Sequence, residues 1–463
     1  MATSRLEEIR QIRITKLAKL RELGVNPYPS KSSFSTVTIS TALSSKDQVV
    51  AVAGRLWRLR EHGNVIFADL KDASGQIQVL FQKKVLTDKF SVLKLFDVGD
   101  FLAVQGKVIT TQAGEITIDC EVFELLSKSL RQIPDDWFGL QDEEARLRER
   151  YVDLMLHPEL TELFKKKAVF WQSMRQFLIS KGFLEVETPV LESTAGGADA
   201  TPFTTHHAAL DIDLYLRISM GELWQKRLMV AGFEKTFEIG RQFRNEGLSR
   251  EHLQDYTQME FYWGYANYED TMKLVEEMYK HVIQTTFGKL HFDINGHHID
   301  LAKPWTVIDY SKTILEKTGK DISTMTDARE IDTLWKKVRK DISGPAFLTG
   351  HPVNVSPLAK RQDKNSDFVE RYQVIIAGSE LGNGYSELND PVDQASRFTD
   401  QAKMREKGDT EAQMNDHDFV TALEYGMPPV SGFGVSERLF SFLCDKPIRE
   451  CVLFPLLRPS NIF

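Results

Sequence analysis

Two kinds of charged residue recur in the C-terminal two thirds of this chain in patterns that suit chemistry on an anion. Arg244 opens the run RNEGLSREHLQDY, which also carries Glu246, His252 and Tyr256, and Arg438 closes GFGVSER. The planar fork of arginine matches phosphate and carboxylate oxygens. The second kind is carboxylate: Glu222, Glu260, Glu380 and Glu387, with Tyr262 and Asn383 in the same runs. Several carboxylates in one cleft repel one another unless a cation lies between them. Glu380, at the end of a candidate strand, suits Mg²⁺, which takes a few carboxylates plus phosphate oxygens. No Walker A or GxGxxG string precedes a helix, so phosphates fall to the arginines. Arginines for an anion and surplus glutamates for a cation suit a nucleotide together with an amine substrate.

These residues need positioning elements. FEIGRQFRNEGLSREHLQDYTQMEFYWGY, residues 237–265, reads as two strands joined by a long charged loop. Phe237 and Ile239, then Gln258, Glu260 and Tyr262, fall on a period of two. A solvated hairpin tip would show the same charges. Gly196 and Gly197 lie in a crossing where backbone can approach a ligand closely. Glu222 heads the helical run GELWQKRLMVA, where a carboxylate also favours the helix dipole. A long helix spans 160–181 and leads into FLEVETPVL, a strand ending at Pro189. An amphipathic helix covers 267–287. Residues 306–345 read as a mixed helical insertion, and VSGFGVSERLFSFL as a strand entering a helix.

The N-terminal part has a different texture. Residues 3–23 form a helix with a basic face, either solvated or available to a phosphate backbone. Five short runs between 49 and 126, with a helical stretch after the third, follow the order of an OB barrel, whose open face commonly binds single-stranded nucleic acid. Phe67 and Gln78 lie on the second and third strands. They offer a ring and an amide to bases, or in the case of Phe67 a core residue. Dense charge with Pro134 and Gly139 marks a boundary near 130–150. The division expected is an N-terminal helix over 1–28, a barrel domain over 29–135, a linker over 136–150 and a catalytic domain over 151–463. A net charge of −8 argues against a generic nucleic-acid coat, so such a partner would need local basic patches. Cys120, Cys444 and Cys451 show no zinc or CxxC spacing, which points to a reducing compartment. With neither signal-peptide core nor membrane-length apolar run, the expected location is cytoplasmic.

GFLEVETPVL, FRNEG and GFGVSERL, in that order, resemble the three signature motifs of class II aminoacyl-tRNA synthetases. RLMVAGFEKTFEIGRQFRNEG, GHPVNVSPLAK and LGNGYSELNDPVDQASRF are similar to the lysyl-tRNA synthetase family in particular, over essentially the whole chain. The resemblance implies an α+β fold: an OB β-barrel followed by an antiparallel sheet flanked by helices. It implies ATP, lysine and tRNA(Lys) as substrates, Mg²⁺ as cofactor, and a homodimer built partly on residues 160–189. By the same resemblance Arg244 would hold the α-phosphate, Glu246 the adenine, and Tyr256 would stack on the base. His252 would lie near the phosphates and Arg438 would clamp the γ-phosphate. Gly197, Glu222, Glu260, Tyr262, Asn383 and Glu387 would line the lysine pocket. Phe67 and Gln78 would read the anticodon.

The implied chemistry is attack of the lysine carboxylate on the α-phosphorus, giving lysyl-adenylate and pyrophosphate, followed by transfer to the terminal ribose of tRNA. Three positions depart from the family pattern. Gln373 stands where a second metal-binding glutamate is expected beside Glu380, Glu251 replaces an arginine just before His252, and GFGVSER is one residue short. An aspartyl- or asparaginyl-tRNA synthetase would want a basic residue where Glu222, Glu260 and Glu387 stand. A synthetase-like RNA-binding protein without catalysis would have little use for both Arg244 and Arg438.

Overall fold

The computed structural model describes residues 5–134, 142–247, 249–322, 325 and 328–459. They fall into two compact units, divided at Gln141/Asp142.

In the first unit the five runs become β1 (Val49–His62), β2 (Val65–Lys71), β3 (Gln76–Gln82), β4 (Phe101–Thr110) and β5 (Ile116–Ser127). They close a barrel in the order β1-β2-β3-β5-β4, with β3 and β5 parallel. Alternation places Ile66, Ala68, Leu70, Ile77, Val79 and Phe81 in the interior. The opposite face carries Phe67, Asp69 and Gln78, with Asp69 directly across from Gln78. The helix Arg5–Glu22 takes two cations out of its basic face and leaves Arg5, Lys19 and Arg21 exposed. Arg13 is buried and donates to Ser129 Oγ at 2.9 Å and Arg131 O at 2.8 Å, while Lys16 pairs with Asp97 at 2.7 Å. Two of its cations are thus structural.

The second unit is organised by an eight-stranded sheet. In chain order its strands, and those of two small accessory sheets, are β6 (Leu184–Glu185), β7 (Leu191–Glu192), β8 (Thr204–His207), β9 (Ile212–Leu216), β10 (Lys235–Phe243), β11 (Asp255–Gly264), β12 (His291–Ile294), β13 (His297–Asp300), β14 (Thr306–Asp309), β15 (Ala346–Thr349), β16 (Arg371–Ile376), β17 (Ser379–Ser386) and β18 (Val430–Ser436). The main sheet runs β14-β15-β16-β17-β18-β11-β10-β6, with β7-β9-β8 and β12-β13 standing apart. Its six central strands are antiparallel, and each edge adds one parallel partner. Against one face pack the helices Pro158–Ser180 and Tyr268–Phe287, burying Phe170, Met174, Val275 and Met278 on Phe237, Met259, Phe261 and Phe433. With that face covered, the period of two aims Gln258, Glu260 and Tyr262 the other way, into a cleft.

Two expectations change, and a third falls partly outside the described residues. FLEVETPVL does not make one strand. Only Leu184–Glu185 pairs with β10; beyond it Thr188 donates its hydroxyl to the Glu238 side chain at 2.6 Å, and Leu191–Glu192 pairs with β9 instead. Residues 306–345 are no insertion apart from the sheet: β14 extends it, and Ile314, Leu334 and Trp335 pack on Leu348 and Ile375. Of the expected linker, 136–141 lie outside the described residues, and the helices Glu143–Arg148 and Arg150–Leu156 follow.

Candidate active site

The cleft on the open face of the sheet encloses about 390 Å³. Gly197, Glu222, Arg244, His252, Tyr256, Glu260, Tyr262, Gln373, Glu380, Asn383, Glu387 and Arg438 all line it. Glu246 does not. Its carboxylate lies off the cleft wall, on a stretch where its backbone carbonyl accepts from Gln254 at 3.2 Å.

One end is a nest of buried carboxylates. Glu260 accepts from the Met220 N–H at 3.0 Å, the Gln258 amide at 2.6 Å and the Tyr262 hydroxyl at 3.0 Å. Burial, then the neighbouring Glu222, pushes its carboxyl up to about 7. Burial likewise raises Glu387 to about 8, against the pull of Lys226. Glu222 heads the helix Glu222–Val230 as expected, but its dipole role is secondary, because Oε1 takes the Lys226 ammonium at 2.7 Å and the Tyr385 hydroxyl. Gly197 has φ +86°, and a Cβ there would meet Ser219 Oγ at 2.5 Å and Glu222 Cβ at 2.8 Å, so only glycine fits. Gly432 on β18 does the same for Glu387, whose Oε1 would lie 2.5 Å from an added Cβ. Asn383 is aimed by Arg371, which donates to its Oδ1 at 2.8 Å.

The other end carries the arginines. The loop between β10 and β11 is pinned at its base, where the Arg244 N–H donates to Gln254 O at 2.9 Å, and the Arg244 guanidinium lies 5.9 Å from the centre of the Tyr256 ring. His252 pairs with Ser249 Oγ at 2.7 Å. Arg438 starts the helix Arg438–Leu443, donates to Glu380 O at 3.2 Å and pairs with Glu251 at 2.5 Å. Arg250, which stands one place before Glu251, is exposed and absent from the cleft wall. Glu437 holds the parts together instead of facing the cleft: it accepts from the Thr257 N–H at 2.9 Å and binds Lys167 of the long helix. The shortened third motif still forms one unbroken strand between β11 and β17.

Glu380 takes the Trp335 indole N–H at 2.7 Å, the Gln373 amide at 3.2 Å and Arg339 at 3.4 Å. Gln373 Oε1 faces His351 at 3.1 Å, and burial, with Arg371 beside it, pushes that imidazole down to about 3. Among the described residues no group of three His, Cys, Asp or Glu side chains is arranged to hold a metal ion. One carboxylate and one amide beside the Arg438 guanidinium fit an ion that takes most of its ligands from a substrate, as Mg²⁺ does.

On the barrel, Phe67 is half-buried on the outer face with the His62 ring 6.3 Å away, outside the interior cluster, so it is not a core residue. Gln78 is buried, accepting from Thr117 at 2.9 Å and donating to Glu115 at 3.3 Å.

A family model described as tRNA synthetases class II (D, K and N) matches residues 142–458, and one described as an OB-fold nucleic acid binding domain matches 50–126. A protein of Carboxydothermus hydrogenoformans named lysine–tRNA ligase is 43% identical over 490 residues, covering 100% of both chains. The chain belongs to the class II lysine–tRNA ligases. Proteins of the same name from Thermoanaerobacter pseudethanolicus and Thermotoga maritima are each 41% identical, covering 99% and 98% of this chain and 98% and 97% of their own. For a lysine–tRNA ligase the informative surprises are Lys226, Tyr385 and Arg371, which the sequence reading passed over. Glu222 and Lys226 are one helical turn apart, which was visible. That both meet Glu387, more than a hundred residues later, was not.

Proposed function

We propose that this chain attaches lysine to tRNA(Lys) at the expense of ATP, with the amino acid in the carboxylate nest and the nucleotide at the arginine end of the same cleft. The observation that carries this reading is the nest itself. Glu222, Glu260 and Glu387 converge at one end of the cleft, and the Lys226 ammonium among them is already paired with two of the three. Among the described residues a carboxylate side chain would meet there a cation already paired, which disfavours aspartate; an ammonium would find an open carboxylate oxygen at Glu387.

The lysine carboxylate would attack the α-phosphorus in line. Arg244 would neutralise the charge that grows on the phosphoryl oxygens, and Arg438 would hold the terminal phosphates after exchanging Glu251 for them. Glu380, assisted by Gln373, would hold Mg²⁺, which supplies charge neutralisation between phosphate oxygens. Pyrophosphate leaves as the adenylate forms. The ribose hydroxyl of tRNA then attacks the adenylate carbonyl, and AMP departs. Phe67 would stack on an anticodon base, with Gln78 offering what remains of its amide. We assign the adenine contact to Tyr256, and to Glu246 after a loop movement.

Two coarser assignments accompany this. Val169, Ile179, Leu184, Val190 and Leu191 are exposed on and beside the long helix, and we propose that a second copy covers them in a homodimer. Three free thiols and work on tRNA suit the cytoplasm, and no helix among the described residues is long and apolar enough to cross a membrane. Charging of purified tRNA(Lys) with labelled lysine tests the function. Incorporation that requires ATP is expected, and none with active tRNA present would overturn the assignment.

A further inference from the structure

The nest contains a cation of its own. Lys226 is 1% exposed, with its ammonium 2.7 Å from Glu222 Oε1, 2.5 Å from Glu387 Oε2 and 5.5 Å from the centre of the Tyr385 ring. The contact to Glu387 is an ion pair off the hydrogen-bond direction, so Oε2 keeps an unsatisfied acceptor. The groups facing this ammonium come from several elements. Glu222 and Arg227 share its helix, Glu260 and Tyr262 stand on β11, Tyr385 and Glu387 lie on and just after β17, and Phe419 comes from the helix His417–Glu424. Arg227 is turned away to Asp416 at 3.0 Å.

Three buried carboxylates cannot all stay ionised alone, since like charges in a dry site drive protons onto one another. A buried lysine between two of them would satisfy the core without serving substrate, but here the same two carboxylates also line the open cleft. We propose that Lys226 is a specificity-determining positioning residue: its fixed ammonium holds Glu222 and Glu387 aimed at the cleft, leaving the nest short of one cation, which the substrate's side-chain ammonium supplies. The inference rests on the placement of lysine in this nest. One resident ammonium faces three carboxylates, and the substrate brings the cations to two. The third carboxylate, Glu260, already has three donors. Without Lys226, the pull that opposes burial at Glu387 is lost, and incoming lysine must displace a proton held there more firmly.

The test is lysine-dependent pyrophosphate exchange by Lys226→Met, Lys226→Gln and Lys226→Arg between about pH 6.5 and 9.5, spanning the carboxyl values expected here. In both neutral variants the lysine KM at neutral pH should rise about tenfold or more, with kcat within about threefold, and should recover as pH increases. Lys226→Arg should keep the wild-type pH profile. A folded neutral variant with wild-type KM and pH profile overturns the proposal. So does failure of both neutral variants to fold, since Lys226 would then be a structural ion. Glu387→Gln run in parallel separates the readings. An unmoved lysine KM there removes the nest as the lysine site, whereas a raised KM there with an unmoved Lys226→Met removes only the role of Lys226.

Discussion

At the carboxylate end of the cleft the side chains are buried and hydrogen-bonded to one another, whereas at the arginine end the cations sit on a loop and a helix start, with Arg438 on a partly exposed partner. Glu260 is 5% exposed and has three donors in place. Glu251, which holds Arg438, has a side chain 45% exposed. On the proposed function the end that would tell one small cation from another is the stiff one, since discrimination is lost when partners can relax. The end that would receive a polyanion holds Arg438 with an internal carboxylate, which phosphates would displace.

The comparison breaks most visibly at Arg244. Arg244→Ala is expected to lower the rate of adenylate formation about 100-fold or more, as loss of a charge partner in the transition state does. A near-normal single-turnover rate would move the phosphate site elsewhere. Phe67→Ala tests whether the contrast is confined to the catalytic unit. Stacking contributes ~1–3 kcal/mol, so tRNA charging should weaken by about tenfold while lysine-dependent exchange is kept. Loss of exchange would show Phe67 to be a folding residue.

The stiff end makes a pH prediction of fixed sign. Burial pushes the Glu260 and Glu387 carboxyls up to about 7 and about 8, and a protonated carboxyl forms no ion pair with an ammonium. The lysine KM should therefore fall several-fold as pH rises from about 6 to 8.5, and flatten above that. A KM that is level over this range contradicts the protonated nest. The smallest effect belongs to the loose end. Glu251→Gln frees Arg438 from an exposed partner and should lower the ATP KM by about two- to fivefold with the lysine KM unmoved. A raised ATP KM would mean that Glu251 aids the nucleotide.

Much of this was legible because strand periodicity is local. Gln258, Glu260 and Tyr262 share a face by alternation, and the apolar Met259 and Phe261 between them say which face is buried. The barrel runs were equally readable. What escaped depends on distant pairing. Lys226 reads as an ordinary helical lysine until Glu387 is folded against it. Strand β14 reads as loop because four residues carry little pattern, and its partner β15 lies some forty residues on. The strand at Leu184–Glu185 stops short because the chain beyond it turns to side-chain contacts, Thr188 donating to the Glu238 carboxylate of β10. The departures at Gln373 and Glu251 were visible as letters. Their partners, His351 and Arg438, were not.

The central claim is that the nest at Glu222, Glu260 and Glu387 selects lysine and presents it to ATP. Pyrophosphate exchange measured with each amino acid in turn addresses it most directly. Exchange with lysine, and with no acidic or amide amino acid, is the predicted result; exchange supported by aspartate or asparagine, or by none, would contradict it.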